Sequence, residues 1–216
     1  MSSIGFILSR GGASCFEALK LSEVDKKNVH IICDRECEAL HTAKELGYSS
    51  ELIEFDNQLQ FSLSAKQSFI SHECSAVLLL YTRLVAAELY ENISTFNIHP
   101  SLLPAFKGFN AIEQALKSKV KYQGATLHLV DENPDGGEII SQTMFPIDDT
   151  WNIRARQRLS YIQKTMLISL FLETYFGRSV SDEKPLSVKP HRFFISPQFV
   201  NIKQAQYFEN LLNDLF

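Results

Sequence analysis

Long apolar runs are missing from this chain, as are a surplus of positive charge, a cysteine framework and any repeated or low-complexity tract. No stretch reaches the roughly 20 apolar residues that a membrane-spanning helix needs, so no membrane partner is expected. Acidic residues outnumber basic ones, 25 against 21, for a formal charge of −4. That balance excludes broad binding to a phosphate backbone, which needs a basic surface, so nucleic acid is not an expected partner. The opening residues, Met1 to Arg10, have neither the positive region nor the cleavage signature of a secretory signal, and the expected compartment is the cytoplasm. The four cysteines, Cys15, Cys33, Cys37 and Cys74, lack disulfide-framework spacing and read as reduced thiols. Cys33, Cys37 and His41 fall at steps of four, but Cys33 closes an apolar run and no fourth ligand is in view, so no metal is expected. What remains is a globular chain of 216 residues, 45% hydrophobic, which is enough for one domain with a sizeable core.

The first half alternates strand and helix patterns. Ile4 to Ser9 is an apolar run ended by Arg10-Gly11-Gly12, and Ala13 to Leu21 has helical composition. Val29 to Cys33 reads as a second strand, Glu36 to Leu46 as a helix ended by Gly47, Glu51 to Glu54 as a short strand and Phe61 to His72 as a helix. Ala76 to Tyr81 is the most hydrophobic strand, and such continuous runs suit a parallel sheet covered on both faces. The predicted fold is α/β, a doubly wound, mostly parallel open sheet. Beyond the strand Thr95 to His99 come a helix over Ala111 to Ser118 and a hairpin of Gly124 to Val130 with Glu138 to Phe145 at the sheet's edge. A long helix runs from Thr150, its predicted N-cap, to Phe176. The expected division is one main domain over 1–177 and a C-terminal extension over 178–216. The extension holds Pro185, Pro190, Pro197 and a helix from Lys203 to Phe216, and its aromatics, including Phe193, Phe199 and Tyr207, need cover.

Chemistry concentrates in Asn97-Ile98-His99-Pro100-Ser101-Leu102-Leu103-Pro104. Alternation along a strand sends Asn97 and His99 to one face, and the two prolines stiffen the turn that follows. An amide and an imidazole side by side can hold an oxyanion, although at a strand end the same pair also fits a mutually satisfied polar contact. Asp135-Gly136-Gly137 adds a carboxylate, or a plain turn with an Asx hydrogen bond. In open α/β sheets ligands gather beyond the carboxyl ends of strands, which puts Gly11-Gly12, Tyr81-Thr82-Arg83 and Asn97/His99 on one edge.

With Lys107-Gly108, the run Gly124 to Val130 and Ile139-Ile140-Ser141-Gln142, these motifs resemble the 10-formyltetrahydrofolate-dependent formyltransferases, most closely the glycinamide ribonucleotide transformylases, over about Ile4 to Phe176. The resemblance implies a Rossmann-like formyltransferase fold and formyl transfer from 10-formyltetrahydrofolate to a primary amine, by default glycinamide ribonucleotide in purine biosynthesis. It assigns Asn97, His99 and Asp135 to the catalytic triad. Tyr81, Thr82, Arg83 and Leu84 align with the folate-pocket segment, and His128 matches a histidine near the active site of relatives, though it equally fits a packed strand. Gly11, Gly12, Ser14 and Lys107 fall at the acceptor side. The partners implied are folate and a small-molecule amine.

Two segments depart from the family pattern. Cys15 stands where an asparagine is expected in the glycine-rich loop, and Gln163-Lys164 stand where relatives carry an acidic residue that contacts the substrate ribose and a histidine after it. They keep open an amino sugar on a nucleotide as acceptor, or a catalytically silent folate-binding protein. Arg154 and Arg158, one helical turn apart, fit a further anion contact or a solvated face.

Overall fold

The computed structural model describes residues 3–176, 194–196 and 202–213. In chain order the strands and helices are β1 (Ser3–Leu8), α1 (Ala13–Leu21), β2 (Val29–Cys33), α2 (Glu38–Glu45), β3 (Ser49–Leu52), α3 (Gln58–Ser71), β4 (Cys74–Leu80), α4 (Ala87–Tyr90), β5 (Ser94–His99), α5 (Ala111–Lys117), β6 (Tyr122–Leu129), β7 (Ile139–Pro146), α6 (Ile153–Tyr175), β8 (Phe194–Ser196) and α7 (Ile202–Asn213). They form two compact units that interleave in sequence, one of Met1–Ala13, Val24–Ile98 and Leu129–Glu138, the other of Ser14–Glu23, His99–His128 and Ile139–Phe216.

The first unit holds five parallel strands in the order β3-β2-β1-β4-β5, the doubly wound arrangement expected from the sequence. β1 and β2 are buried at every residue, as continuous apolar strands covered on both faces should be. Helix α3 lies close over β1: a Cβ added at Gly5 would fall 2.4 Å from the Phe69 ring, so only glycine lets that ring seat. Phe61, Ala65 and Phe69 of α3 join Ile7, Ile32, Val77 and Leu79 in one cluster. Helix α1 has the predicted bounds. β3 lies two residues earlier than expected, because pairing with β2 sets its register, His30 opposite Ser49 and Cys33 opposite Leu52. α3 starts earlier too, since the Asn57 side chain caps it by accepting from Gln60 N. Cys33 ends β2, while Cys37 is the N-cap residue of α2 and His41 lies within that helix.

The second unit holds an antiparallel set, β6 with β7 and β7 with β8. Thr150 does not cap α6. Its N–H and hydroxyl are both bonded to Asp148, and Asn152 caps the helix instead by accepting from Arg154 N and Ala155 N. Helix α7 contributes Ala205, Phe208 and Leu212 to a cluster with Phe145, Leu159, Ile162 and Met166. It is fastened further by Tyr207, whose hydroxyl donates to Glu17 at 2.7 Å, and by Gln204, whose amide donates to the Leu21 carbonyl. The expected boundary at 177, Pro185, Pro190, Pro197, Phe193, Phe199 and Phe216 lie outside the described residues.

Away from the carboxyl strand ends, the first unit buries a polar network. His30 is 2% exposed, its Nδ1 bonded to Ser49 Oγ and its Nε2 to Ser68 Oγ, with the His72 ring stacked on it at 3.6 Å. Burial, reinforced by the charge of His72 and opposed by Glu51, pushes the His30 pKa down from 6.5 to about 4. Above that range the ring is neutral in both the folded and the unfolded chain. As pH falls from 6.5 towards about 4, the unfolded chain binds a proton that the folded chain refuses, so stability is lost across this window. The loss attributable to this ring is on the order of 2 kcal/mol. His30→Gln is therefore expected to be less stable near neutrality yet lose less stability on acidification, measured as urea midpoints at a series of pH values. A parallel fall in both proteins would contradict it.

Candidate active site

β5 ends in Asn97, Ile98 and His99, so the amide and the imidazole leave the same face of the strand. Pro100 then stops the strand for lack of an N–H. His99 is 5% exposed, and its Nε2 lies 2.7 Å from the carbonyl of Phe106. A carbonyl can only accept, so Nε2 carries the hydrogen and the tautomer is set. The turn after His99 is pinned as well as stiff. Thr126 Oγ1 donates to the Ser101 carbonyl at 2.7 Å and accepts from Leu103 N at 3.1 Å, while the Gln142 amide donates to the Leu103 carbonyl. Leu102 packs onto the bare face of Gly124, where a Cβ would lie 2.4 Å from its Cγ.

The carboxylate arrives on the segment between β6 and β7. Val130 N donates to the carbonyl of Thr95 in β5 at 2.8 Å, which docks the segment beside that strand. Asp131 Oδ1 accepts from Asn133 N, and Gly136 N donates to the Asn133 carbonyl, turning the chain tightly. Gly137 is then forced: a Cβ there would lie 2.0 Å from the Leu129 carbonyl oxygen. Asp135 sits at φ 52, a left-handed conformation that costs a non-glycine residue about 1 kcal/mol or more. The result places Asp135 Oδ1 3.5 Å from Asn97 Nδ2. The sequence-predicted amide and carboxylate, 38 residues apart, are thereby brought together.

At the carboxyl ends of the other strands, Thr82 N faces Ser9 Oγ at 3.4 Å, and Tyr81 stacks on Phe61 with ring centres 5.3 Å apart. The Tyr81 hydroxyl is buried and finds no hydrogen-bond partner among the described residues. Burial, with the charge of Asp34, pushes its pKa up. Arg83 is engaged by protein groups: its Nε lies 3.2 Å from Asp34 Oδ2, and its guanidinium sits 3.9 Å from the centre of the Phe55 ring. Leu84 is 52% exposed. His128 is buried in β6, on a residue paired with Ile139.

Among acceptor-side residues, Gly12 has φ 64 and Gly11 faces Glu38, whose Oε2 would lie 3.0 Å from an added Cβ. Ser14 is buried in the first turn of α1, next to a fully buried Cys15 whose side chain is part of the interior. Lys107 is exposed beside Gly108, which has φ 80. Gln163 is also interior, 1% exposed, with its amide donating to the Gln123 carbonyl at 2.9 Å. Arg154 and Arg158 are exposed, while Arg156 between them is 2% exposed. Sequence reading missed two buried charged residues, Arg156 in the helix and Asp34 beside Arg83. Helical phase separates Arg156 from its neighbours, but nothing local distinguishes Asp34 from an ordinary strand-end carboxylate.

Residues 6–169 match the family model described as formyl transferase. The chain is 33% identical over 157 residues to the phosphoribosylglycinamide formyltransferase of Bacillus subtilis (strain 168), covering 66% of this chain and 79% of the relative. Among solved structures it is similar to glycinamide ribonucleotide transformylase 1 from Symbiobacterium toebii, at TM-score 0.73 and 27% identity over 81% of this chain and 89% of the other. It is likewise similar to phosphoribosylglycinamide formyltransferase from Streptococcus pneumoniae TIGR4, at TM-score 0.73 and 26% identity over 82% and 99%.

The geometry of the Asp135 segment predicts two effects on turnover. Asp135→Asn keeps the shape but removes the charge, and is expected to lower kcat by about 100-fold or more. Gly137→Ala must push the segment off the Leu129 carbonyl and is expected to lower kcat at least about tenfold with the circular dichroism of the fold retained. Wild-type kcat in the alanine variant would show that the close approach does not position Asp135.

Proposed function

The chain belongs to the formyl transferase family, and from that premise we propose that it transfers the formyl group of 10-formyltetrahydrofolate to the amine of glycinamide ribonucleotide, a step of purine biosynthesis. The observation that carries this reading is the 3.5 Å approach of Asn97 Nδ2 to Asp135 Oδ1, on the strand whose next outward residue is His99. An amide donor, a carboxylate and an imidazole are what acyl transfer between two nitrogens requires.

The amine nitrogen attacks the formyl carbon, a C–N bond forms, and the carbonyl oxygen takes the negative charge. Asn97 Nδ2 donates to that oxygen, and His99 donates to it when protonated. Each well-placed donor lowers the barrier by roughly 3–4 kcal/mol. Because Nε2–H is directed at the Phe106 carbonyl, the imidazole acts through Nδ1. Asp135 assists removal of the amine proton, while the folate nitrogen gains a proton as its bond to the formyl carbon breaks. No metal enters this scheme.

We assign the donor to the segment Tyr81 to Leu84, with His128 as a further donor-side residue, and the acceptor phosphate to the turn Gly11, Gly12 and Ser14, with Lys107 beside the acceptor. The peptide N–H groups at a strand-to-helix turn suit an anion. The amine acceptor and the folate are the small-molecule partners of this reading, and we place the reaction in the cytoplasm. Among the described residues no helix is long and apolar enough to cross a membrane.

Incubating the protein with 10-formyltetrahydrofolate and each of glycinamide ribonucleotide, a nucleotide-linked amino sugar and water alone tests the proposal. Release of tetrahydrofolate is followed by absorbance, and the product by mass. Formylated glycinamide ribonucleotide is the expected product, lost in His99→Ala. Preference for the amino sugar would move the acceptor, and folate binding without turnover would overturn the enzyme reading.

A further inference from the structure

The segments that follow β2 and β4 are joined by one carboxylate. Asp34, the residue after β2, has a side chain with no exposed surface, yet it carries a charge. Its Oδ1 accepts from Arg35 Nε at 3.0 Å, and its Oδ2 accepts from Arg35 Nη2 at 2.6 Å while lying 3.2 Å from Arg83 Nε. Burying a carboxylate this far is unfavourable unless cations and hydrogen bonds surround it, and two guanidinium groups do so here. Arg35 and Arg83 are themselves partly exposed, 44% and 36% by side chain.

The order β2-β1-β4 makes this geometry informative. Asp34 leaves β2 and Arg83 follows β4, so their ion pair reaches across the end of the intervening strand β1. Directly beneath, Ser9 at the end of β1 faces Thr82 N, and Phe55, just beyond β3, offers its ring to the Arg83 guanidinium at 3.9 Å. Phe55 is in turn held by its N–H, which donates to the Asp34 carbonyl at 3.2 Å. The guanidinium is thus fixed on one edge by charge and on one face by stacking, a combination that lysine could not reproduce.

We propose that Asp34 is a positioning residue for donor binding: by holding Arg83 across the end of β1 it fixes the backbone of Tyr81 to Leu84 in the conformation that receives the folate. The inference rests on the assignment of that segment to the donor. Without the Asp34 charge, Arg83 turns toward solvent, and the segment must be ordered when the donor binds rather than before. The loss falls on donor affinity, because Asp34 touches neither reactant and the triad is unaltered.

The test compares Asp34→Asn with wild type in steady-state kinetics and in direct titration with tetrahydrofolate. The expected result is a donor KM and a tetrahydrofolate Kd both raised about tenfold, with kcat and the acceptor KM within about twofold of wild type. A general structural defect would instead lower the active fraction or disturb both substrates. Phe55→Leu, which leaves the buried carboxylate paired and removes only the stacking face, should give the same split in smaller degree and serves if Asp34→Asn fails to fold. Unchanged donor KM and Kd in a folded variant would overturn the positioning role alone. Failure of the wild-type protein to bind tetrahydrofolate would overturn the donor assignment and this inference with it.

Discussion

One backbone hydrogen bond, from Val130 N to the carbonyl of Thr95, does more to make the candidate site than any side chain in it. It turns the segment between β6 and β7 back alongside β5, two residues before Asn97. Every later feature of the segment follows from that docking: the tight turn at Asn133, the 2.0 Å approach that leaves room only for glycine at 137, and the left-handed backbone of Asp135. Strained backbone persists where its surroundings over-determine it. Here the surroundings are peptide groups together with the Asp131 carboxylate, which holds the turn at Asn133.

The same economy governs the imidazole. Its tautomer is set by a peptide carbonyl, and the turn after it is gripped by the Thr126 hydroxyl and the Gln142 amide, both directed at the backbone. A ring in the proton-transfer role proposed for His99 benefits from neighbours that do not titrate. At the far end of the first unit a histidine receives different treatment. His30 is buried, bonded at both nitrogens by serine hydroxyls and kept neutral, which suits a structural rather than a chemical role.

Much of the architecture was legible from pattern alone. The apolar runs of β1, β2 and β4 predicted parallel strands because strands covered on two faces cannot alternate. The resemblance carried by Asn97 to Pro104 and Asp135-Gly136-Gly137 predicted the family. The misses have local causes. β3 lies earlier than its apolar pattern suggests because three of its four residues, Ser49, Ser50 and Glu51, are polar and only pairing with β2 defines it. Thr150 was a plausible cap until Asp148 engaged both of its polar groups, leaving Asn152 to start α6. Arg154 and Arg158 are exposed, as a solvated face would be, while Arg156, two residues from each, is the interior one.

By itself, then, the sequence determined the strand and helix order, the amide, imidazole and carboxylate, and the glycine at 137 that lets the Asp135 segment approach Leu129. Those are properties of composition, periodicity and steric allowance, which a linear chain carries at each position. Only the tertiary structure decided that Asp135 meets Asn97, that Nε2 of His99 is directed at Phe106, that Cys15 and Gln163 face the interior, and that Asp34 holds Arg83 across the end of β1. Each of those depends on which strands become neighbours and at what register, and hence on packing between residues far apart in the chain.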